Sequence, residues 1–161
     1  HTAIRINTDG MPLKFHDRFQ GNTNENLSGD FIVRRRDGLF AYQLACAIDE
    51  SVDHISHVVR GIDLMASTPM QVWIMGRLGL KIPFYAHHPI LIDQSGSKLS
   101  KQTFATPIDP SKPGETYFKI AQLFHMTHSP SAIAPADIWL QYFQSEATID
   151  TLLPKVTNLV V

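Results

Sequence analysis

Short apolar runs alternate with polar punctuation along the chain, and their spacing assigns most segments an element. Ala3-Ile4-Arg5-Ile6 and Leu13-Lys14-Phe15-His16 each alternate apolar and polar side chains. Thr8-Asp9-Gly10 lies between them, and Asp-Gly supplies positive φ cheaply, so a β-hairpin is expected. Residues 21–29 read as a polar connector. Phe31 to Arg36 is a strand candidate that ends at Asp37-Gly38. Ala41, Leu44, Ala45, Ile48 and Val52 then follow helical spacing, which predicts a helix over 41–52 with one buried stripe. His57 to Arg60 is a short β-rich run stopped by Gly61.

Thr68, Pro69 and Gln71 read as a helix start, with a Thr cap, Pro at the first helical position and a capping box. Gly79 is the expected stop of that helix. Phe84 to Ile92 is apolar and β-prone, broken by Pro89. It leads into the polar loop Asp93-Gln94-Ser95-Gly96-Ser97. Helices are expected after Pro113, with Tyr117, Ile120, Ala121 and Phe124 on one face, and over 135–144. Residues 148–161 are expected to begin helical and fray after Pro154. Strand–helix–strand–helix–strand with short apolar strands predicts an α/β fold with a parallel layer. The hairpin and the C-terminal helices are its appendages.

Composition narrows the class. The 161 residues suit one compact domain, and 43% hydrophobic with 18% charged residues is ordinary for a globular chain. No apolar run approaches the length of a membrane span, and no basic segment followed by an apolar one opens the chain. A single cysteine, Cys46, excludes an internal disulfide or a multi-cysteine zinc site, and a reducing, cytoplasmic setting is the default. A net charge of −1 excludes a chain that is basic throughout, so nucleic-acid contact would use local patches. The chain opens at His1 without an initiator Met, and the expectation is a piece of a longer protein.

Six side chains are candidates for chemistry. Lys98 and Lys101 stand three apart in a Gly/Ser-rich loop after a strand, where mobile point charges can meet developing negative charge on phosphates. By spacing alone, two surface lysines on a solvated loop explain the pattern better. The loop also lacks the order of a P-loop. Arg60 ends an apolar strand, where ligands sit in open α/β sheets and a guanidinium can clamp a carboxylate. A salt bridge to Asp63 is the competing explanation. Tyr42 opens a helix and can present a hydroxyl to a polar ligand, or simply pack. Arg34 and Arg36 would share one strand face and could meet phosphates, or be solvated. His54/His57 and His125/His128 lack the context of a metal site.

Taken in order, several segments resemble the glutamyl-type class I aminoacyl-tRNA synthetases. They are Asp30 to Ala45, Val58-Val59-Arg60-Gly61-Ile62-Asp63-Leu64, Ser67-Thr68-Pro69 with Gln71, Tyr85-Ala86-His87-His88-Pro89, and Gly96-Ser97-Lys98-Leu99-Ser100-Lys101. The resemblance covers residues 3–105 well and the tail loosely. Arg34-Arg35-Arg36-Asp37-Gly38-Leu39-Phe40-Ala41-Tyr42-Gln43-Leu44-Ala45 looks most like the shortened bacterial branch that activates glutamate with ATP and attaches it to the queuosine base of tRNA(Asp).

This resemblance implies the second half of a class I Rossmann-like catalytic domain. Residues 1–29 would be a hairpin and connector from the inserted subdomain, 30–105 the second half of the nucleotide fold, and 106–161 a helical segment. Tyr42 and Arg60 match the family's glutamate-binding tyrosine and arginine. Lys98 and Lys101 match the two lysines of its mobile Lys-Met-Ser-Lys-Ser loop, with Lys101 on ATP. Leu99 replaces Met and Gln102 replaces the final Ser. The implied partners are ATP with Mg2+, glutamate and tRNA(Asp), with no membrane. The His-Ile-Gly-His-type signature and the Cys-rich zinc segment are absent, so zinc would belong only to a longer protein. This segment alone is expected to be inactive, and self-association through exposed sheet edges is an open expectation. An ordinary glutamyl-tRNA synthetase fragment and a non-catalytic tRNA- or protein-binding module are the alternatives.

Overall fold

A computed structural model describes residues 2–8, 12–26, 30–100, 106–124, 126, 128–144 and 158–160. The chain divides into two compact units, His1–His87 and His88–Val161.

In the first unit, strand β1 (Ile4–Ile6) pairs antiparallel with β4 (Phe31–Arg34). Strands β2 (Pro12–Asp17) and β3 (Gly21–Asn26) form the hairpin. The expected hairpin between residues 3–6 and 13–16 is therefore replaced by a later one, and part of the expected connector is strand β3. Two features explain the change. The Asp17 carboxylate accepts the backbone N–H groups of Phe19 (3.0 Å) and Gln20 (2.9 Å), which builds a turn directly after β2. The sequence of β3 has no apolar residue, so it carries no alternation to read. Asp9-Gly10 lies outside the described residues.

From β4 the chain turns through Asp37-Gly38 and returns so that Ala41 N–H donates to the Val33 carbonyl (2.9 Å). Helix α1 (Tyr42–Val52) starts there, as its periodicity predicts. Strand β5 (His57–Gly61) leads through a 3-10 helix (Ile62–Ser67) into helix α2 (Thr68–Leu78). Gly79 caps α2 with φ 66°, a left-handed conformation that glycine adopts without a Cβ penalty. Strand β6 (Phe84–His88) follows.

The main sheet has the order β3-β2-β6-β5, with β2 and β6 parallel. The layer is mixed, because β2 and β3 are antiparallel and β4 joins β1 instead of β5 and β6. Phe31, Val33, Ala47, Val72, Ile74, Met75 and Tyr85 form the core, backed by Phe15, Leu44, Val58 and Trp73. Helix α1 contributes its expected stripe through Leu44 and Ala47, and burial of such apolar area drives the packing.

In the second unit, β7 (Ile90–Ile92) pairs in parallel with β8 (Asn158–Val160). The tail expected to fray thus ends in a strand, whereas the helix expected to begin at 148 falls outside the described residues. Helices α3 (Pro113–Leu123) and α4 (Ala136–Phe143) occupy the predicted segments. Trp139 is fully buried against the rings of Tyr117, Phe118 and Phe143. A Cβ on Gly114 would stand 2.4 Å from the Ala132 carbonyl oxygen and 2.6 Å from that of Ala134, so only glycine fits there. No described helix is long and apolar enough to cross a membrane.

Candidate functional site

Asp17, Arg60 and His87 lie at or next to the last residues of β2, β5 and β6, three strands of one sheet. Strand ends of this kind are where open α/β sheets place ligands. The Arg60 side chain is 10% exposed and almost wholly committed to neighbours. Its Nε donates to His87 Nε2 (3.1 Å). Its Nη2 donates to Thr68 Oγ1 (2.6 Å) and to Gln71 Oε1 (2.8 Å). The guanidinium carbon sits 5.3 Å from the centroid of the Tyr85 ring, within cation–π range. Among the described residues, Nη1 has no hydrogen-bond partner, and its contact is a 3.9 Å ion pair to Glu50.

Thr68 and Gln71 therefore do not form the expected capping box. The residue before α2 is Ser67, no side chain caps the helix, and both polar groups turn to Arg60. The desolvated guanidinium is the stronger partner, since hydrogen bonds to charge are worth about twice neutral ones. The helix starts one residue earlier than predicted, at Thr68, so Pro69 is its second residue and not its first. Gln71 is fully buried, and its Nε2 has no hydrogen-bond partner among the described residues.

Behind Arg60, His87 and Asp17 are both fully buried, with Nδ1 to Oδ2 at 2.6 Å. Burial pushes the Asp17 carboxyl upward, but its bonds from His87, Gln20 and Phe19 prevail and hold it below its ordinary value. Thr68 Oγ1 also lies 3.0 Å from His87 Nε2.

Glu50 reaches the site from α1. It accepts a hydrogen bond from the Tyr85 hydroxyl (3.0 Å). Burial raises the Glu50 carboxyl above its ordinary value, against the opposing pull of that bond and of Arg60. The Tyr85 phenol is pushed upward, by burial first and then by the Glu50 charge. Tyr42, at the start of α1, is 49% exposed. Its phenol is raised by a hydrogen bond with Cys46 and by burial, and the Arg60 charge opposes the shift. The Arg60 charge thus acts on the Tyr42 phenol.

The other candidates stand elsewhere. Lys98 belongs to the second unit and bridges antiparallel to Ile92. The turn before it is organised by Asp93, whose Oδ1 accepts Ser95 N–H (2.8 Å), Ser95 O–H (2.6 Å) and Ser97 N–H (2.9 Å). These bonds, the Ser95 hydroxyl first, hold the Asp93 carboxyl below its ordinary value. Lys101 lies outside the described residues. Strand β4 ends at Arg34, so Arg34 and Arg36 do not share a strand face. Arg34 donates to the Gly38 carbonyl (3.3 Å), and Arg35 pairs with Asp37 (2.7 Å). Among the described residues, no three His, Cys, Asp or Glu side chains cluster as a metal site would require.

Asp17, Glu50, Thr68, Gln71, Tyr85 and His87 are the residues around Arg60 that sequence reasoning did not place in the site. A signal existed for His87. In a strand it shares a face with Tyr85, and a histidine on a buried face needs a polar partner.

Residues 1–119 match the family model for tRNA synthetases class I (E and Q), catalytic domain. A Glutamyl-Q tRNA(Asp) synthetase of Methylococcus capsulatus is 42% identical over 141 residues, which cover 84% of this chain and 47% of that protein. Its namesake from Thiobacillus denitrificans is 42% identical over 143 residues, with the same coverages of 84% and 47%. The chain spans about half the length of these curated relatives. A glutamate tRNA ligase from Elizabethkingia meningosepticum, solved in complex with its amino acid, shares the fold with a TM-score of 0.63 at 19% identity, over 93% of this chain and 34% of that one. The chain belongs to the glutamyl- and glutaminyl-type class I tRNA synthetases, within their catalytic domain.

Proposed function

We propose that this chain is the part of a glutamyl-queuosine tRNA(Asp) synthetase that recognises glutamate and carries the lysine loop for ATP. The carrying observation is the Arg60 cluster. Three neighbours fix the guanidinium through Nε and Nη2, and among the described residues Nη1 is left with one long ion pair. A pre-oriented cation of this kind suits a carboxylate ligand, because its orientation is fixed before binding. Tyr42 supplies a half-exposed hydroxyl in the same neighbourhood.

The reaction has two steps. A glutamate carboxylate oxygen attacks the α-phosphorus of ATP and displaces pyrophosphate, which gives glutamyl-adenylate. A hydroxyl of the queuosine base then takes the glutamyl group and releases AMP. Arg60 and Tyr42 orient glutamate, and Lys98 and Lys101 stabilise charge at the phosphates. Catalysis here is positioning and charge stabilisation. The names of the relatives support tRNA(Asp) as acceptor.

The test is charging by the complete gene product. Glutamate should become attached to tRNA(Asp) that contains queuosine and not to the same tRNA with unmodified guanine at that position. Charging of tRNA(Glu) in place of tRNA(Asp) would make the protein an ordinary glutamyl-tRNA synthetase and overturn the proposal.

A further inference from the structure

We infer that Asp17 and His87 form a buried relay that fixes the histidine tautomer and thereby holds Arg60 in its ligand-binding orientation, so that both are positioning residues for carboxylate recognition. This deepens the glutamate-binding role proposed for Arg60 and rests on it.

Donor and acceptor geometry fixes the position of the ring proton. Arg60 Nε–H can only donate, and it points at His87 Nε2 from 3.1 Å. His87 Nε2 must therefore offer a lone pair, which places the ring proton on Nδ1. Nδ1–H then donates to Asp17 Oδ2 at 2.6 Å. Asp17 is fastened in turn. Its Oδ1 accepts the backbone N–H groups of Phe19 (3.0 Å) and Gln20 (2.9 Å), and the His87 backbone N–H is shared between Oδ1 (3.2 Å) and Oδ2 (3.1 Å). The carboxylate is thus fixed in place and leaves only Oδ2 toward the ring. Phe15 and Tyr85 flank the imidazole, with centroids 6.4 and 6.1 Å away. Both side chains are fully buried, so water cannot substitute for a lost partner. The chain separation is 70 residues, so the hairpin turn after β2 is tied to the end of β6 through this pair.

Asp17→Asn separates positioning from packing. The new amide keeps its oxygen toward the Phe19 and Gln20 N–H groups, which leaves the His87 backbone N–H only its longer Oδ1 contact, and places its NH2 against His87 Nδ1. The ring then carries its proton on Nε2, where it can turn to Thr68 Oγ1 (3.0 Å) but opposes the Arg60 Nε–H, so Arg60 loses its acceptor. His87→Asn is the complementary variant. It keeps a donor for Asp17 and loses the acceptor for Arg60.

The experiment uses the complete gene product, with 15N-histidine labelling and steady-state kinetics of ATP–pyrophosphate exchange. In the wild type, His87 should show the Nδ1–H tautomer, and in Asp17→Asn the Nε2–H tautomer. Both variants should raise the KM for glutamate tenfold or more, with the KM for ATP within threefold of wild type. Should Asp17→Asn fail to fold, His87→Asn carries the test alone. An Nε2–H tautomer in the wild type, or a wild-type glutamate KM in a folded variant, would overturn the relay. If Arg60→Ala itself leaves the glutamate KM unchanged, the glutamate-binding role of Arg60 fails instead, while the tautomer assignment stands on the spectra.

Discussion

Arg60→Ala in the complete gene product is expected to raise the KM for glutamate on the order of a hundredfold, since truncating one member of a buried, hydrogen-bonded charge cluster costs about 2–5 kcal/mol. The substitution removes the cation and also strands three acceptors. Thr68 Oγ1, Gln71 Oε1 and His87 Nε2 all receive Arg60 donors in the structure. A lower melting temperature should accompany the kinetic effect, because unsatisfied buried polar groups destabilise by about 1–3 kcal/mol each. Arg60→Lys separates charge from geometry. An ammonium keeps the charge but cannot reach both the His87 side and the Thr68/Gln71 side at once, so the glutamate KM should still rise about tenfold or more. Titrating glutamate in the exchange assay reads both effects, and a wild-type KM in Arg60→Ala would remove Arg60 from the site.

Lys101→Ala should do the opposite. The adenylation rate is expected to fall about a hundredfold to a thousandfold, with the glutamate KM within about threefold of wild type, because a charge aimed at the developing phosphate anion acts in the transition state. Single-turnover adenylate formation at saturating glutamate measures this. An unchanged rate would reduce Lys98-Leu99-Ser100-Lys101 to the solvated loop that its spacing alone suggests.

Helices were legible where one face repeats. Leu44 and Ala47 mark α1, and Pro69 and Gly79 bracket α2. Strand pairing was less legible, because pairing depends on contacts far apart in sequence. The turn that creates the β2–β3 hairpin is held by the Asp17 carboxylate, which a local pattern shows only as one polar residue after a strand. Thr68 and Gln71 show how a local rule loses to a stronger distant partner. Their spacing fits a helix cap, yet an arginine on β5 takes both. Tyr42 and Arg60 were candidates because of their positions in recognisable segments. The groups that hold Arg60 in place were not, since Asp17 and His87 meet only after the sheet forms.

Amino-acid-dependent ATP–pyrophosphate exchange by the complete gene product tests most directly whether the protein activates glutamate. A fixed guanidinium favours a charged carboxylate over a neutral amide of the same shape. Exchange is therefore predicted with glutamate and only weakly with glutamine. Exchange driven better by glutamine, or none with glutamate, would contradict the account.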